Sequence, residues 1–430
     1  MVDYQMLKES LEMFQLDGDS WKAVADEFKR EIDLAEAGGS SSLKILPAFL
    51  SPPSGNEKGN YTAIDFGGSN LRVMQVQLLG LGLYRIAKQI SRPLQDPQGR
   101  YDFTGPHISG SEIFGWIADM VGEVLMGSST DGLGFTFSFP MQQLSIDSAR
   151  LLSWTKELKP SGTVGQDPSL MLGDALKSKG IKLKPSAIIN DTVAVFLTGS
   201  YCDASVCAGS ICGTGFNTCI LEYKQWEHPM IVNTEAGNYS RLPLNIYDKV
   251  LDAESENPGQ QIMEKMVSGK YLGELLRIAL KDLGERGAWG DYDSSLPIWN
   301  QPFALKTEVM DWLQKNDPQA GLLTAGWMAE MGIPVRGENQ QLFSILGKAI
   351  VQRAIMLISA SYCSVLQRTP LRYGPRQLIA VDGALFKHWP GFLSEIEKIL
   401  KRELPDRSVS LRYTQDGSSV GAAIAAALAG

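Results

Sequence analysis

The chain has 430 residues, more than one simple core holds, so two domains are expected. Hydrophobic residues make up 44% and charged residues 20%, a globular balance that excludes a disordered chain. The net charge of -8 argues against a nucleic-acid partner, which wants a basic surface, yet a few backbone N–H groups can still hold a small phosphate.

Residues 1–38 read as helical, with Ser20 as the expected N-cap of SWKAVADEFKREIDLAEAG and Gly38 as its stop. The opening MVDYQMLKESLEMF has acidic residues and no apolar core, unlike a signal peptide. A Gly/Ser/Pro-rich link follows to about Gly59. YTAIDFGGSNLRVMQVQLLG then predicts two strands around a GGSN turn. A helix is expected at about Glu112–Leu125, with Ile113, Ile117, Val121 and Leu125 on one face. GLGFTFSFP reads as a strand, and KPSAIINDTVAVFLTGSY as strand, polar turn and helix.

The hairpin pattern recurs in SVCAGSICGTGFNTCILEY, around a Gly-Thr-Gly turn. Asn257 and Pro258 predict a capped helix start in ENPGQQIMEKMVSGKYLGELL. A long helix is expected over about Gln340–Gln367, its AIMLISASYCSVL stretch too short to span a bilayer and read as a buried core helix. Strand RQLIAVDG, helix GFLSEIEKILKREL, strand VSLRYTQ and a Gly/Ala-rich helix after Gly417 complete the chain. Two glycine-turn hairpins, each leading into alternating strands and helices, suggest a duplicated α/β architecture.

The cysteines are Cys202, Cys207, Cys212, Cys219 and Cys363. An odd number without CxxC spacing argues against a disulfide framework. Four between 202 and 219 raise a metal cluster, but buried thiols on strands are the better reading. A reducing, cytoplasmic setting is expected.

Four glycine turns follow apolar strands: DFGGSN at 65–70, CGTGFN at 212–217, VDGALF at 381–386 and QDGSSVG at 415–421. Such turns let the backbone approach a phosphate and aim N–H groups at it. None matches the P-loop or the dinucleotide fingerprint, so the phosphate cradle is of another kind. Polar residues also stand where core residues would be expected: Ser138, Asn190, Asp191, Asn217, Glu235 and Glu264. Singly these read as caps, turns or solvated positions, with Asp191-Thr192 able to cap the helix that follows. Together they suit a polyhydroxy ligand, whose hydroxyls each donate and accept.

From about Leu43 onward the chain resembles the eukaryotic-type hexokinase/glucokinase family. The resemblance is carried by LKILPAF, IDFGGSNLRV, LGFTFSFPMQQ, WTKELK, INDTVAV, GTGFNTC, NTEAG, NPGQQIMEKMVSGKYLGEL and VDGALFKHWPGF. It implies an α/β, two-lobed actin-like ATPase (ribonuclease H-like) fold with a cleft between lobes. The small lobe would span 60–188, completed by the C-terminal helix 417–430, and the large lobe 1–59 and 189–416.

The implied activity is transfer of the γ-phosphoryl group of ATP to the 6-hydroxyl of a hexose, with Mg²⁺ on the phosphates. Asp191 would be the general base, and Lys156 would add positive potential. The implied sugar site is Ser138, Thr155, Lys156, Asn190, Asp191, Asn217, Glu235 and Glu264. The implied nucleotide site is Asp65, Gly67, Gly68, Ser69, Asn70, Arg72, Thr214, Gly215, Asp382, Gly383, Gly417 and Ser418, with Asp65 holding the metal through water. The expected acceptors are glucose, mannose or fructose. No nucleic-acid or membrane partner is expected, and the chain would act as a monomer or homodimer.

The chain departs from the family pattern at Ser69 for Thr, Ala384 for Thr or Ser, Phe216 for Ser, Glu157 for Gly, Ala236 for Trp and Val420 for a basic residue. A sugar sensor without catalysis would lack the base or a phosphate loop, and a chaperone-type or filament ATPase would lack the sugar set. This chain has Asp65, Asp191, the glycines and the sugar set.

Overall fold

The computed structural model describes residues 2–68, 70–155, 158–315, 317–371 and 374–430. Two β-sheets organise it. The first has five strands in the order Leu83–Pro93, Asn70–Gly80, Lys58–Phe66, Gly132–Phe137, Pro185–Ile189. The first three pair antiparallel and the last two run parallel to Lys58–Phe66. The second has six, ordered Leu46–Pro47, Met230–Asn233, Phe216–Glu222, Val206–Cys212, Arg376–Asp382, Ser408–Tyr413. Here too an antiparallel set leads into parallel neighbours. Each sheet thus contains a three-strand meander followed by two parallel strands, with Leu46–Pro47 added at the edge of the second, the duplication that the paired glycine hairpins suggested.

Between the sheets lie two helices, Asp191–Cys202 and Gly417–Ala429. Residues 192–201 and 417–426 are all buried, as mostly apolar helix surfaces require. The C-terminal helix packs on strands Lys58–Phe66, Gly132–Phe137 and Pro185–Ile189, and helix Asp191–Cys202 on Val206–Cys212 and Arg376–Asp382. The helices approach so closely that a Cβ at Gly421 would collide with the backbone of Ala194. The hydroxyl of Thr198 donates to the Gly417 carbonyl at 2.8 Å, and that of Thr136 to the Ser418 carbonyl at 2.7 Å. These contacts fix the first turn of the C-terminal helix against its neighbours.

Helices Gly110–Leu125 and Pro168–Ser178 pack on each other, with Gly110–Leu125 against the outer face of the five-stranded sheet. Ser109 and Glu112 close a capping box at the start of the former. Beyond the six-stranded sheet, Gly18–Glu36, Leu272–Glu285 and Gly337–Arg368 form the largest core. Gly337–Arg368 is long and apolar enough to cross a membrane by length and composition, but 67% of its most apolar window is buried inside the protein. Cys207, Cys212 and Cys219 are buried on strands as read, and Cys202 is exposed at a helix end. Burial pushes the Cys207 and Cys219 thiols up to about 11 and about 12.

Three local expectations are corrected. Residues 1–38 form two helices, Tyr4–Glu12 and Gly18–Glu36. The second is capped by Asp17, whose Oδ1 accepts the Ser20 N–H at 2.8 Å, so Ser20 receives the cap instead of making it. Asn257 and Pro258 start no helix, because helix Ile262–Val267 begins after Gln261 and carries no side-chain cap. The Asn257 amide donates to the Gln261 side chain instead. Finally, strand Leu83–Pro93 extends the first hairpin, which the sequence reading ended at Gly80.

Candidate active site

Helix Asp191–Cys202 begins directly where strand Pro185–Ile189 ends, with Asn190 between them. The Asn190 Oδ1 accepts both the Thr192 N–H, at 3.0 Å, and the Thr192 hydroxyl, at 2.7 Å. Asn190 is therefore the cap, and Asp191 is the first helical residue, its carboxylate at the positive end of the helix dipole. Its Oδ1 accepts the Thr192 N–H at 2.8 Å. The plain cap reading of Asp191 thus passes largely to its neighbour.

Asn190, Glu235 and Asn233 line one cavity, together with Phe139 and Gln143. Asn217 joins them, its amide donating to Asn233 Oδ1 at 3.0 Å and to Glu235 Oε1 at 3.3 Å. Glu264 accepts the Phe216 N–H at 2.9 Å, one residue from Asn217. A Cβ at Gly215 would stand 2.6 Å from that same Glu264 oxygen, so the glycine of the second hairpin makes room for the carboxylate. Ser138 follows strand Gly132–Phe137 and donates its N–H to the Phe66 carbonyl at 3.1 Å, beside the first glycine hairpin. Thr155 stands in an irregular segment, anchored by Trp154 against Phe139 at 4.7 Å between ring centroids. Lys156, Glu157 and Ser69 lie outside the described residues.

The four glycine turns converge. Strands Val206–Cys212, Arg376–Asp382 and Ser408–Tyr413 are parallel neighbours, so the turns after them share one edge of the sheet. Binding groups at the carboxyl ends of parallel strands are the usual arrangement in α/β sheets. Gly213, beside Thr214, abuts Gly383, whose φ of 117° only glycine adopts readily. Asp382 accepts the Gly383 N–H at 2.7 Å.

The first hairpin, where Gly67 donates to the Asn70 carbonyl at 3.2 Å before Gly68, belongs to the other sheet. It is tied in through Asp65, whose Oδ2 accepts the hydroxyls of Ser418 at 2.8 Å and Ser419 at 3.0 Å. Arg72 lies 3.8 Å from the same oxygen. Gly417 opens the C-terminal helix beside them.

Charge is concentrated here. Burial holds the Asp65 carboxyl above its ordinary range, opposed by the Ser418 bond, Arg72 and the Ser419 bond, and Asp191 raises it further. Glu235 is raised by burial first, against the Asn233 bond, with Asp191 again adding to the rise. Burial also raises Asp382.

Sequence reasoning missed Asn233 and Ser419, and also the segment 268–270, which clips the second turn. The Gly269 N–H donates to the Gly213 carbonyl at 2.7 Å and the Ser268 hydroxyl to the Thr214 carbonyl at 2.9 Å. The available signal was polar residues ending an apolar strand (IVN) or doubled in a turn (GSS). Among the departures, Phe216, Ala236 and Val420 are all buried in core, and Val420 fills space between the sheets.

Sequence models of the Hexokinase family match residues 6–201 and 207–428. The chain is 34% identical to Hexokinase-1 of Oryza sativa subsp. japonica over 94% of its own length and 86% of that protein. It is 35% identical to Hexokinase-1 of Arabidopsis thaliana, covering 94% and 87%. Among solved structures, a hexokinase superposes with a TM-score of 0.86 at 29% identity, covering 99% of both chains. The hexokinase from Schistosoma mansoni complexed with glucose does so at 0.84 and 28% identity, covering 99% and 100%. The two-lobed sugar-kinase fold and the convergent site therefore have their explanation in descent: the chain belongs to the hexokinase family, enzymes that phosphorylate hexoses with ATP.

Proposed function

We propose that this hexokinase works in the cytoplasm as an ATP:hexose 6-phosphotransferase with Asp191 as its general base. One observation carries the reading: Asp191 opens its helix beside Asn190, which lines one cavity with Glu235 on the sugar side, and stands near enough to Asp65 on the phosphate side to raise its carboxyl. A base for phosphoryl transfer has to stand between acceptor and donor in this way.

In the proposed mechanism, Ser138, Thr155, Asn190, Asn217, Glu235 and Glu264 hold the sugar hydroxyls. Asp191 takes the proton of the 6-hydroxyl as its oxygen attacks the γ-phosphorus and ADP leaves. The turns with Gly67, Gly68 and Asn70, with Thr214 and Gly215, with Asp382 and Gly383, and with Gly417 and Ser418 cradle the triphosphate, and Arg72 offsets its charge. Lys156 and Ser69 keep the roles that the family resemblance implies.

The residues fit Mg²⁺. Buried Asp65 raises the proton affinity of half-buried Asp382, so a hard cation suits the oxygens crowded there. When bound with ATP, Mg²⁺ supplies neutralisation of charge on the β- and γ-phosphate oxygens. Asp65 would hold it through water.

Residues 60–188 with helix 417–430 form the proposed small lobe, and 1–59 with 189–416 the large lobe. Closure over the sugar would exclude water, which otherwise competes as acceptor. The Schistosoma mansoni relative is complexed with glucose. Glucose, and with it mannose and fructose, are the proposed acceptors. The test is coupled ADP production by purified protein. Hexose-dependent turnover is expected, and ATP consumption equally fast with and without these sugars would overturn the reading.

A further inference from the structure

Among the described residues proposed to hold the sugar, Glu235 alone has a strained backbone. It lies in the left-handed region, with φ 50° and ψ 47°, which non-glycine residues rarely adopt. Something must hold it there. Asn233, at the end of strand Met230–Asn233 and 7% exposed, makes three contacts with the sugar-site group. Its Oδ1 accepts the Glu235 backbone N–H at 3.2 Å, bridging the turn. Its Nδ2 donates to Glu235 Oε1 at 2.6 Å. The same Oδ1 accepts Asn217 Nδ2 at 3.0 Å.

One carboxamide therefore grips both the backbone and the carboxylate of Glu235 and sets which way the Asn217 amide faces. The Asn217 Oδ1 is occupied by the Thr218 N–H at 2.7 Å and the Ala236 N–H at 3.0 Å, which leaves its Nδ2 pointing at Asn233 and Glu235.

We propose that Asn233 is a positioning residue for hexose binding, acting through Glu235 and Asn217. The proposal rests on the site reading above. The chemistry explains why an amide is needed. The position must accept on one side and donate to a carboxylate on the other, which an ionised Asp cannot do and Leu cannot do at all. With Asp at 233, two carboxylates would face each other at the 2.6 Å now spanned by the amide, in a field to which Asp191 adds negative charge and Lys44 positive. Such a pair binds a proton, and the protonated form restores the missing donor.

The experiment measures KM for hexose, KM for ATP and kcat for wild type, Asn233→Leu, Asn233→Asp and Glu235→Gln on both sides of neutrality. For Asn233→Leu, hexose KM is expected to rise about 10- to 100-fold while ATP KM stays within about twofold. Asn233→Asp is expected to approach wild type in acid and to behave like Asn233→Leu in base. A hexose KM for Asn233→Leu within about threefold of wild type, with Glu235→Gln impaired, overturns this proposal alone. An unimpaired Glu235→Gln overturns the site reading and this proposal with it. Should Asn233→Leu fail to fold, the pH-dependent rescue of Asn233→Asp decides: a hexose KM with the wild-type pH profile overturns the proposal.

Discussion

The hydroxyl of Ser419 donates to Oδ2 of Asp65 at 3.0 Å, joining the first turn of the C-terminal helix to the first glycine hairpin across 354 positions of the chain. Ser418 does the same at 2.8 Å. Both bonds favour the ionised carboxylate against a burial that opposes it. In the proposed role Asp65 has to be ionised to hold the metal's water, so its contribution would be lost as pH falls through its raised value. Ser419→Ala removes one of the opposing bonds and raises that value further. The acid limb of the kcat/KM profile is therefore expected to move to higher pH, by up to about one unit. A profile superimposable on wild type would show that Ser419 only packs.

Asp191→Asn keeps the side-chain shape and an oxygen for the Thr192 N–H but removes the proposed base. We expect kcat to fall about 10²- to 10⁴-fold. Folding stability should change by about 1 kcal/mol or less, because a lost helix-dipole interaction is offset by relief of Glu235 and Asp65. Hexose affinity, measured by calorimetric titration, should persist. A kcat within about tenfold of wild type would assign the base elsewhere.

The elements that sequence reasoning found are those with local signatures. Both hairpins showed as apolar runs broken by glycine, and helix Gly110–Leu125 by its helical-period apolar face. Several of the misses share a physical cause, namely stabilisation by distant partners. Strand Leu83–Pro93 was hidden because its turn, Gly80-Leu81-Gly82, is apolar, with Leu81 at φ 54° and 83% exposed. That turn is held in place by the Tyr201 hydroxyl, which accepts the Gly80 N–H at 3.0 Å. Asn233 looked like the end of a strand, and Ser419 like turn filler, until tertiary contacts gave each a partner. The cap at Asp17 was a nearer miss: Asp17 and Ser20 both cap well, and the local backbone decides between them.

Gly215→Ala tests the link between the second proposed phosphate turn and the proposed sugar site. The backbone there permits alanine, but the new methyl would stand 2.6 Å from Glu264 Oε2 and displace it from the Phe216 N–H. Hexose KM is expected to rise about tenfold, the worth of one charge-assisted hydrogen bond. If the effect runs through Glu264, the double variant with Glu264→Gln will be clearly less impaired than the two single effects summed. Additivity would place the methyl's effect on the phosphate loop alone.

Away from the site, three carboxylates share one guanidinium. Arg368, at the end of helix Gly337–Arg368, pairs with Asp33, Glu36 and Glu222, the last at 3.1 Å. One cation shared with exposed Asp33 does not neutralise both Glu36 and Glu222 in their buried setting, so the Glu36–Glu222 pair retains a proton near neutrality. Glu36 is pushed up to about 7, by burial first and then by its contact with Glu222, against the pull of Arg368. A carboxyl raised in the folded state contributes stability that is fully present below its ordinary value and is lost as pH rises through about 7. Wild type should therefore unfold at lower denaturant on the alkaline side of neutrality than on the acid side. Glu36→Gln carries the neutral form at every pH and should flatten that dependence. Equal pH slopes for the two proteins in urea titrations would mean that Arg368 keeps all three carboxylates ionised.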